Sequence, residues 1–122
     1  MVARVLVVED EPEIQKLMSL FLGTIEQVKL VGQAYSGSEA VSMATQVKPD
    51  VILLDLMLPK MNGLEAIQMI QQQGHRPHVI LVSAYAENST IRQQARELGI
   101  TEFVPKPVNL HELSKKLRAA RK

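Results

Sequence analysis

Short apolar runs rich in β-branched residues alternate with amphipathic helical patterns five times along this chain of 122 residues. The runs rich in valine, isoleucine and leucine cover residues 4–8, 28–34, 51–54, 79–82 and 102–104. The first, third and fourth are almost purely apolar, which is typical of strands covered on both faces of a parallel sheet. This alternation predicts an α/β fold, with a mainly parallel sheet, helices on both faces and right-handed crossovers.

The helical segments carry recognisable start and stop residues. Pro12 suits a first helical turn and Gly23 suits a stop, and between them a periodic stripe predicts the inward face: Ile14, Leu17, Met18, Phe21 and Leu22. Ser36 and Glu39 have the spacing of a capping box, which predicts the start of the second helix. Three later segments, at about 63–73, about 88–98 and from Asn109 onward, have similar periodicity.

Length and composition set further bounds. A chain of 122 residues is expected to form one domain, residues 1–122, with a core that needs no covalent staples. Cysteine is absent, which excludes disulfides and thiolate metal sites. The 14 basic and 13 acidic residues nearly cancel, so neither nucleic acid nor a membrane surface is indicated as a partner. With no export signal and no long apolar stretch, we expect a cytoplasmic location.

Polar residues follow four of the predicted strands at the point where each strand ends. Residues 9–11, all acidic, follow the first strand; Asp55 follows the third, Ser83 the fourth, and Lys106 comes shortly after the fifth. In an open α/β sheet, ligands bind in the crevice outside the carboxyl ends of the strands. The sequence therefore brings carboxylates, a hydroxyl and an ammonium group together, a set suited to a divalent cation and a phosphoryl group.

Four segments carry a family resemblance, and together they run in order along the whole chain. Residues 7–12 (VVEDEP), 53–63 (LLDLMLPKMNG), 81–84 (LVSA) and 103–107 (FVPKP) resemble segments of bacterial two-component response-regulator receiver domains, close to the chemotaxis-regulator type. The resemblance implies a single doubly wound, flavodoxin-like sheet of five parallel strands in the order 2-1-3-4-5, flanked by five helices. That order sets the first strand beside the third.

The resemblance also implies an aspartyl-phosphate site that depends on Mg²⁺. Asp55 would be the phosphoacceptor, since a carboxylate can form a covalent acyl phosphate. Mg²⁺ prefers oxygen ligands and commonly takes one or two carboxylates together with phosphate oxygens. Asp10, Asp55 and the backbone carbonyl of Met57 would be its protein ligands, and Glu9 would act through a metal-bound water.

The remaining implied site residues lie on the fourth and fifth strands. Lys106 would neutralise the phosphoryl oxygens as a point charge, and Ser83 would donate its hydroxyl to the attached phosphoryl group. Phe103 would swing inward as Ser83 moves, which makes this pair a switch biased by phosphate. The bond between Lys106 and Pro107 is expected to be cis, as is usual in the family.

Two positions depart from the common family pattern. Met57 stands two residues after the phosphoacceptor and Tyr85 two residues after Ser83, where relatives often carry polar residues. Both flank the path that a hydrolytic water would take. We therefore expect Met57 and Tyr85 to restrict that water and to lengthen the life of the phosphorylated state.

The leading functional prediction is a signalling receiver, which assists its own phosphorylation and dephosphorylation but is not a turnover enzyme. A histidine kinase or histidine phosphotransfer protein would supply the phosphoryl group. The surface formed by the fourth helix, fifth strand and fifth helix would then change to control an output protein or a tethered output domain. Direct contact with nucleic acid or membrane is not expected. The protein would be a monomer or a dimer promoted by phosphorylation.

Three alternatives are set against this prediction. A haloacid-dehalogenase-like phosphatase would need an acid/base aspartate two residues after its nucleophile, where this chain has Met57. A flavin carrier would need a phosphate-cradling first loop and stacking aromatics, whereas this loop is acidic and aromatics make up 3% of the chain. A receiver-like module that is never phosphorylated would not need the set formed by Asp10, Asp55, Ser83 and Lys106.

Overall fold

The five strands form one parallel sheet in the order β2-β1-β3-β4-β5. They are β1 (Ala3–Val8), β2 (Val28–Ala34), β3 (Val51–Asp55), β4 (His78–Ser83) and β5 (Glu102–Pro105). The structure, a computed structural model, describes residues 2–56, 62–84 and 87–120. Both the parallel α/β sheet and the order 2-1-3-4-5 expected from the family resemblance are confirmed.

Five helices cover the two faces of the sheet. They are α1 (Pro12–Leu22), α2 (Gly37–Val47), α3 (Gly63–Gln72), α4 (Ser89–Glu97) and α5 (Leu110–Ala120). One apolar cluster joins the sheet to α1 and α5, and a second joins the opposite face to α2, α3 and α4. Within the parts of the chain that the structure describes, no helix is long and apolar enough to cross a membrane.

The strands β3 and β4 are longer than the sequence predicts. Asp55 is the last residue of β3, where it pairs with Val82, and Ser83 is the last residue of β4, where it pairs with Pro105. The prediction placed both polar residues after their strands, because the apolar runs end one residue earlier. Strands pair through backbone groups, so a polar side chain does not end a strand. Both residues therefore belong to the sheet.

A bulge interrupts the pairing of the edge strand β2 with β1. Leu30 pairs with Val5 but Gly32 pairs with Leu6, so β2 has one extra residue at this point. Leu30 packs on the α1 and α5 side of the sheet, whereas Ala34 packs on the opposite side. An extra residue reverses the faces of all later residues, because side chains alternate along a strand.

The predicted inward face of α1 is partly wrong. Leu17 is 60% exposed, whereas Gln15, which was not assigned to that face, is 0% exposed. Successive helical residues turn by about 100°, so Gln15 and Leu17 point in nearly opposite directions. The face that meets the sheet includes Gln15, Met18 and Leu22. The apolar stripe in the sequence is therefore broader than the face that is buried.

The predicted starts of α2 and α5 are confirmed by their capping hydrogen bonds. The Ser36 hydroxyl accepts from the Glu39 N–H at 3.2 Å, while the Glu39 carboxylate accepts from the Tyr35 N–H at 2.7 Å. The Asn109 side chain accepts from the Glu112 N–H at 2.9 Å. Caps of this kind satisfy N–H groups that have no partner within the helix.

Candidate functional site

Three carboxylates converge at the carboxyl edge of the sheet. Glu9 and Asp10 follow β1, and Asp55 ends β3, the neighbouring strand. One oxygen from each of the three lies within 4.8 Å of the others. Glu9 and Asp55 are 5% and 6% exposed, and Asp10 is more open to solvent. The predicted meeting of Asp10 and Asp55 across adjacent strands is therefore present in the structure, with Glu9 beside them.

Glu9 is held at both its backbone and its carboxylate. Its N–H donates to the Ala34 carbonyl at the end of β2, at 3.0 Å. Its carboxylate accepts from the Glu11 N–H at 3.0 Å, directly before α1 begins. A carboxylate at the N-terminus of a helix also gains from the helix dipole. Glu9 is thus fixed between the edge strand β2 and the start of α1.

Lys106 lies beside the phosphoacceptor candidate, as predicted. Its Nζ is 2.9 Å from Oδ2 of Asp55, and its backbone N–H donates to the Ser83 carbonyl at 3.1 Å. The side chain of Lys106 is 39% exposed, against 7% for Asp55. The Lys106–Pro107 peptide bond is cis, which confirms the prediction. Lys106 therefore joins the end of β3 to the ends of β4 and β5.

The electrostatics of the site favour an added cation. Burial, together with the neighbouring carboxylates of Asp55 and Asp10, raises the pKa of Glu9 to about 7, against the lowering effect of the Glu11 N–H. Burial alone would lower the pKa of Lys106, but its hydrogen bond and attraction to Asp55, with help from Glu9 and Glu11, raise it overall. Three carboxylates thus face one ammonium group, and a divalent cation would relieve their repulsion.

The other two predicted site residues are buried on β4 and β5. Ser83 is 1% exposed at the end of β4, and Phe103 is 9% exposed on β5 within the cluster that contacts α4. The guanidinium carbon of Arg92, on α4, lies 4.6 Å from the centroid of the Phe103 ring. This contact was not predicted, because a cationic residue in an exposed helical pattern gives no sign of its partner. It connects α4 to the predicted switch residue.

Two predicted positions lie outside the described residues: Met57, the proposed carbonyl ligand, and Tyr85. Next to Met57, Leu56 is hydrogen-bonded to β4, and Gly63 is hydrogen-bonded to Leu56. The Leu56 N–H donates to the Val82 carbonyl and the Gly63 N–H to the Leu56 carbonyl, both at 3.2 Å. A Cβ on Gly63 would come within 3.2 Å of the Asp55 carbonyl oxygen, so the start of α3 packs directly against the end of β3.

Gln15 is a buried polar residue next to the site that the sequence analysis missed. Its side-chain amide is 0% exposed and donates to the Glu9 carbonyl at 3.2 Å. The available sign was its position, three residues before Met18 and seven before Leu22, on a line that packs inward. A polar residue on such a line needs buried partners, and here the partners belong to the strand ends that form the site.

The sheet order and the charged carboxyl edge place the chain among doubly wound α/β domains that bind ligands at that edge. The chain belongs to the response regulator receiver domain family, whose model matches residues 5–118. It therefore has the fold and family of a receiver in two-component signal transduction.

Known proteins support this assignment in sequence and in structure. The response regulator domain of CheB from Thermotoga maritima is 34% identical, with a TM-score of 0.89 over 98% of this chain and 96% of that one. A protein-glutamate methylesterase/protein-glutamine glutaminase from Nocardioides is 31% identical over 97% of this chain but only 32% of its own length. The transcriptional regulatory protein YdfI of Bacillus subtilis is 32% identical over 96% of this chain and 54% of its own length. The chain thus corresponds to one part of those longer relatives.

Proposed function

We propose that Asp55 is the phosphoacceptor of this receiver, and that a histidine kinase or histidine phosphotransfer protein supplies the phosphoryl group. One arrangement carries the proposal. Asp55 lies 2.9 Å from the Lys106 ammonium and shares a cluster, within 4.8 Å, with the carboxylates of Glu9 and Asp10. A nucleophile, a charge for the phosphoryl oxygens and ligands for a cation are therefore within reach of one another.

The acidic cluster fits Mg²⁺. Asp10 and Asp55 would bind the ion directly, together with the backbone carbonyl of Met57, and Glu9 would bind through a water molecule. All of these donors are oxygens, as Mg²⁺ requires. Burial and, to a smaller extent, the neighbouring carboxylates raise the pKa of Glu9, and a bound cation would oppose both effects. When bound, the ion would neutralise charge on the incoming phosphoryl group.

The transfer itself would use the side chains of this chain in defined roles. An Asp55 carboxylate oxygen would attack phosphorus while the bond to the donor nitrogen breaks, which leaves the donor histidine neutral after protonation. Lys106 would hold the phosphoryl oxygens by charge, and the Ser83 hydroxyl would donate to one of them afterwards. Because Asp55 and Ser83 end adjacent strands, one phosphoryl group can contact both.

The signal would leave through the surface made by α4, β5 and α5. Ser83 and Phe103 are buried on adjacent strands, and Phe103 contacts Arg92 of α4, so a movement of Ser83 could be passed to this surface. The output would be a separate protein or a tethered domain, in a monomer or a phosphorylation-promoted dimer. Residues 1–122 would act as the receiver in the cytoplasm, without turnover of their own.

Intact-mass measurement tests the phosphoacceptor. The protein is incubated with acetyl phosphate and Mg²⁺, beside Asp55→Asn and the control Asp50→Asn, which makes the same change just before β3. Asp50 accepts a backbone hydrogen bond from Arg4, far from the site. We expect one added phosphoryl group in the wild type and in Asp50→Asn, and none in Asp55→Asn or after chelation of Mg²⁺. Absence of the added mass in wild type, with a histidine kinase also tried as donor, would favour an unphosphorylated module.

A further inference from the structure

We propose that Gln15 is a positioning residue for the acidic cluster: its buried amide fixes the Glu9 peptide and thereby sets where the Glu9 and Asp10 carboxylates lie. The inference rests on the proposed function, because it concerns how the same site is held. Among the described residues, the side chain of Gln15 bonds to backbone carbonyls and to Gln33. It acts through the backbone at the end of β1.

The side-chain nitrogen of Gln15 meets three backbone carbonyls. Nε2 donates to Ala34 at 2.8 Å, and to Val7 and Glu9 at 3.2 Å each. An amide NH₂ has two hydrogens, so the two longer contacts are consistent with one shared hydrogen. These carbonyls belong to the ends of β1 and β2. The amide of an α1 residue therefore joins both strand ends at the edge where the site lies.

Chemistry determines which way the Gln15 amide faces. Carbonyl oxygens only accept hydrogen bonds, so the NH₂ group must face them and the amide oxygen must face away. On that other side, Gln33 Nε2 donates to Gln15 Oε1 and to the Gln15 backbone carbonyl, both at 3.0 Å. Gln33 thus holds the Gln15 amide in the orientation that the carbonyls require.

The Glu9 backbone is consequently held from both sides. Its N–H donates to the Ala34 carbonyl, and its own carbonyl accepts from Gln15. The Glu11 N–H holds the Glu9 carboxylate as well. Asp10 follows the fixed carbonyl directly, so its Cα can move little unless Gln15 moves. Groups that orient metal ligands in this way commonly change metal affinity by 10–100-fold when they are replaced.

A purely structural role makes a different prediction. If Gln15 only contributes to stability, replacing it should have the same effect on the site as an equally destabilising change elsewhere in α1. Leu22 offers that control, since it is 1% exposed on the same helix face but packs into the apolar cluster away from the charged edge. Leu22→Ala is therefore the matched variant for Gln15→Met, which keeps the length and removes the amide.

The experiment compares these variants in two ways, by Mg²⁺ titration and by amide hydrogen exchange in metal-free protein. We expect Gln15→Met to weaken Mg²⁺ binding at least tenfold and to speed exchange at the Glu9 amide. Leu22→Ala should leave Mg²⁺ affinity within about twofold of wild type despite its loss of stability. Affinity and Glu9 exchange in Gln15→Met that match those of Leu22→Ala would overturn the proposal.

Gln33 provides an independent test that does not disturb a fully buried residue. Gln33→Leu removes the donor that orients the Gln15 amide, whereas Gln33→Lys replaces it with another donor. We expect a several-fold loss of Mg²⁺ affinity with leucine and recovery with lysine. If Gln15→Met does not fold, this pair decides: affinities equal to wild type in both variants would overturn the proposal.

Failure of the proposed function would look different. A wild-type protein that binds no Mg²⁺ and gains no phosphoryl group would remove the function, while exchange at the Glu9 amide would still test Gln15. A wild type that binds and is phosphorylated, beside a Gln15→Met variant with unchanged affinity and exchange, would remove only the role of Gln15.

Discussion

The two halves of the site are built from different kinds of contact. The acidic half, made by β1, β3 and α1, is fixed by a buried hydrogen bond from Gln15 and a partly buried one from Glu11, both to Glu9. The switch half, made by β4, α4 and β5, depends on apolar packing and on the stacking of Arg92 over Phe103. Among the nine residues of α4, all of which the structure describes, Ala95 alone is fully buried.

This difference matches what each half would have to do. Cation binding needs ligands that are already in place, because ordering them during binding costs affinity. A signal needs an element whose position can change at small cost, and segments with few buried apolar contacts open most easily. The structure thus combines a binding half with buried, hydrogen-bonded carboxylates and a switch half whose helix α4 is weakly held. Lys106 connects the two halves, because it bonds to Asp55 and to the Ser83 carbonyl.

The largest effect is expected from removing the connecting lysine. Lys106→Met should lower the rate of phosphorylation by acetyl phosphate about 100-fold or more, because one charged group that stabilises the transferring phosphoryl is lost. Mg²⁺ affinity should stay equal or rise, since a positive charge leaves the acidic cluster. Lys116→Met is the control, because Lys116 pairs with Glu102 at 2.7 Å, at the opposite end of β5 from Lys106. Equal rates of phosphorylation in the two variants would show that Lys106 takes no part in phosphoryl transfer.

The acidic half should also make the free energy of unfolding depend on pH. Without metal, the folded-state pKa of Glu9 is about 7, above the 4.5 of an unperturbed glutamate. Between these values the folded protein binds more protons than the unfolded one, so the free energy of unfolding falls as pH rises. The loss should total ~3 kcal/mol, at about 1.4 kcal/mol per pKa unit.

Chemical denaturation at several pH values between 4 and 8 measures this slope. Glu9→Gln should flatten it, and saturating Mg²⁺ should remove most of it. A metal-free wild-type protein that becomes more stable over the same pH range would show that the carboxylates of the acidic half are not destabilised by burial.

The division between halves can be tested directly by core truncation. Leu22→Ala removes a side chain that is 1% exposed at the end of α1, one of the elements of the acidic half, and should cost about 2–5 kcal/mol. Ile91→Ala, at a half-buried position of α4, should cost about 1 kcal/mol and mainly speed hydrogen exchange within α4. Equal losses of unfolding free energy in the two variants would contradict the view that α4, in the switch half, is weakly held.

The smallest expected effect concerns the contact between α4 and Phe103. Arg92→Met should lower the free energy of unfolding by about 0.5–1 kcal/mol, mainly through loss of the cation–π contact and with a small part from the exposed ion pair with Glu87. The matched control is Arg96→Met, which alters an exposed arginine of the same helix. A double-mutant cycle with Phe103→Leu measures the coupling, and a coupling energy near zero would mean that Arg92 does not restrain the aromatic ring.

Most of the fold could be predicted from sequence because it depends on patterns that repeat. The runs at 28–34, 51–54 and 79–82 coincide with strands to within one residue at each end. The convergence of Glu9, Asp10, Asp55, Ser83 and Lys106 followed from their places at strand ends. Any parallel sheet brings these positions to one edge, and the strand order implied by the family resemblance placed β1 beside β3.

The rest depended on orientation, which a one-dimensional pattern does not specify. Leu17 and Gln15 are two residues apart in α1, and the apolar stripe predicted the wrong one to be buried. The strand-end carbonyls accept hydrogen bonds from the Gln15 amide, and a leucine side chain has no group that could donate to them. The contact of Arg92 with Phe103 likewise needs two distant segments to be placed in space before it can be seen.

The extra residue in β2 has a consequence for how this chain can tolerate changes in length. Gln33 pairs with Val7, whose side chain packs on the α1 side of the sheet, so Gln33 also faces α1. Deleting the extra residue would restore a regular ladder with Gln33 still opposite Val7, whereas inserting one more residue without widening the bulge would turn Gln33 towards α2. The spacing between Leu30 and Gln33 can therefore lose one residue more easily than it can gain one, because only a gain would move Gln33 away from the amide of Gln15.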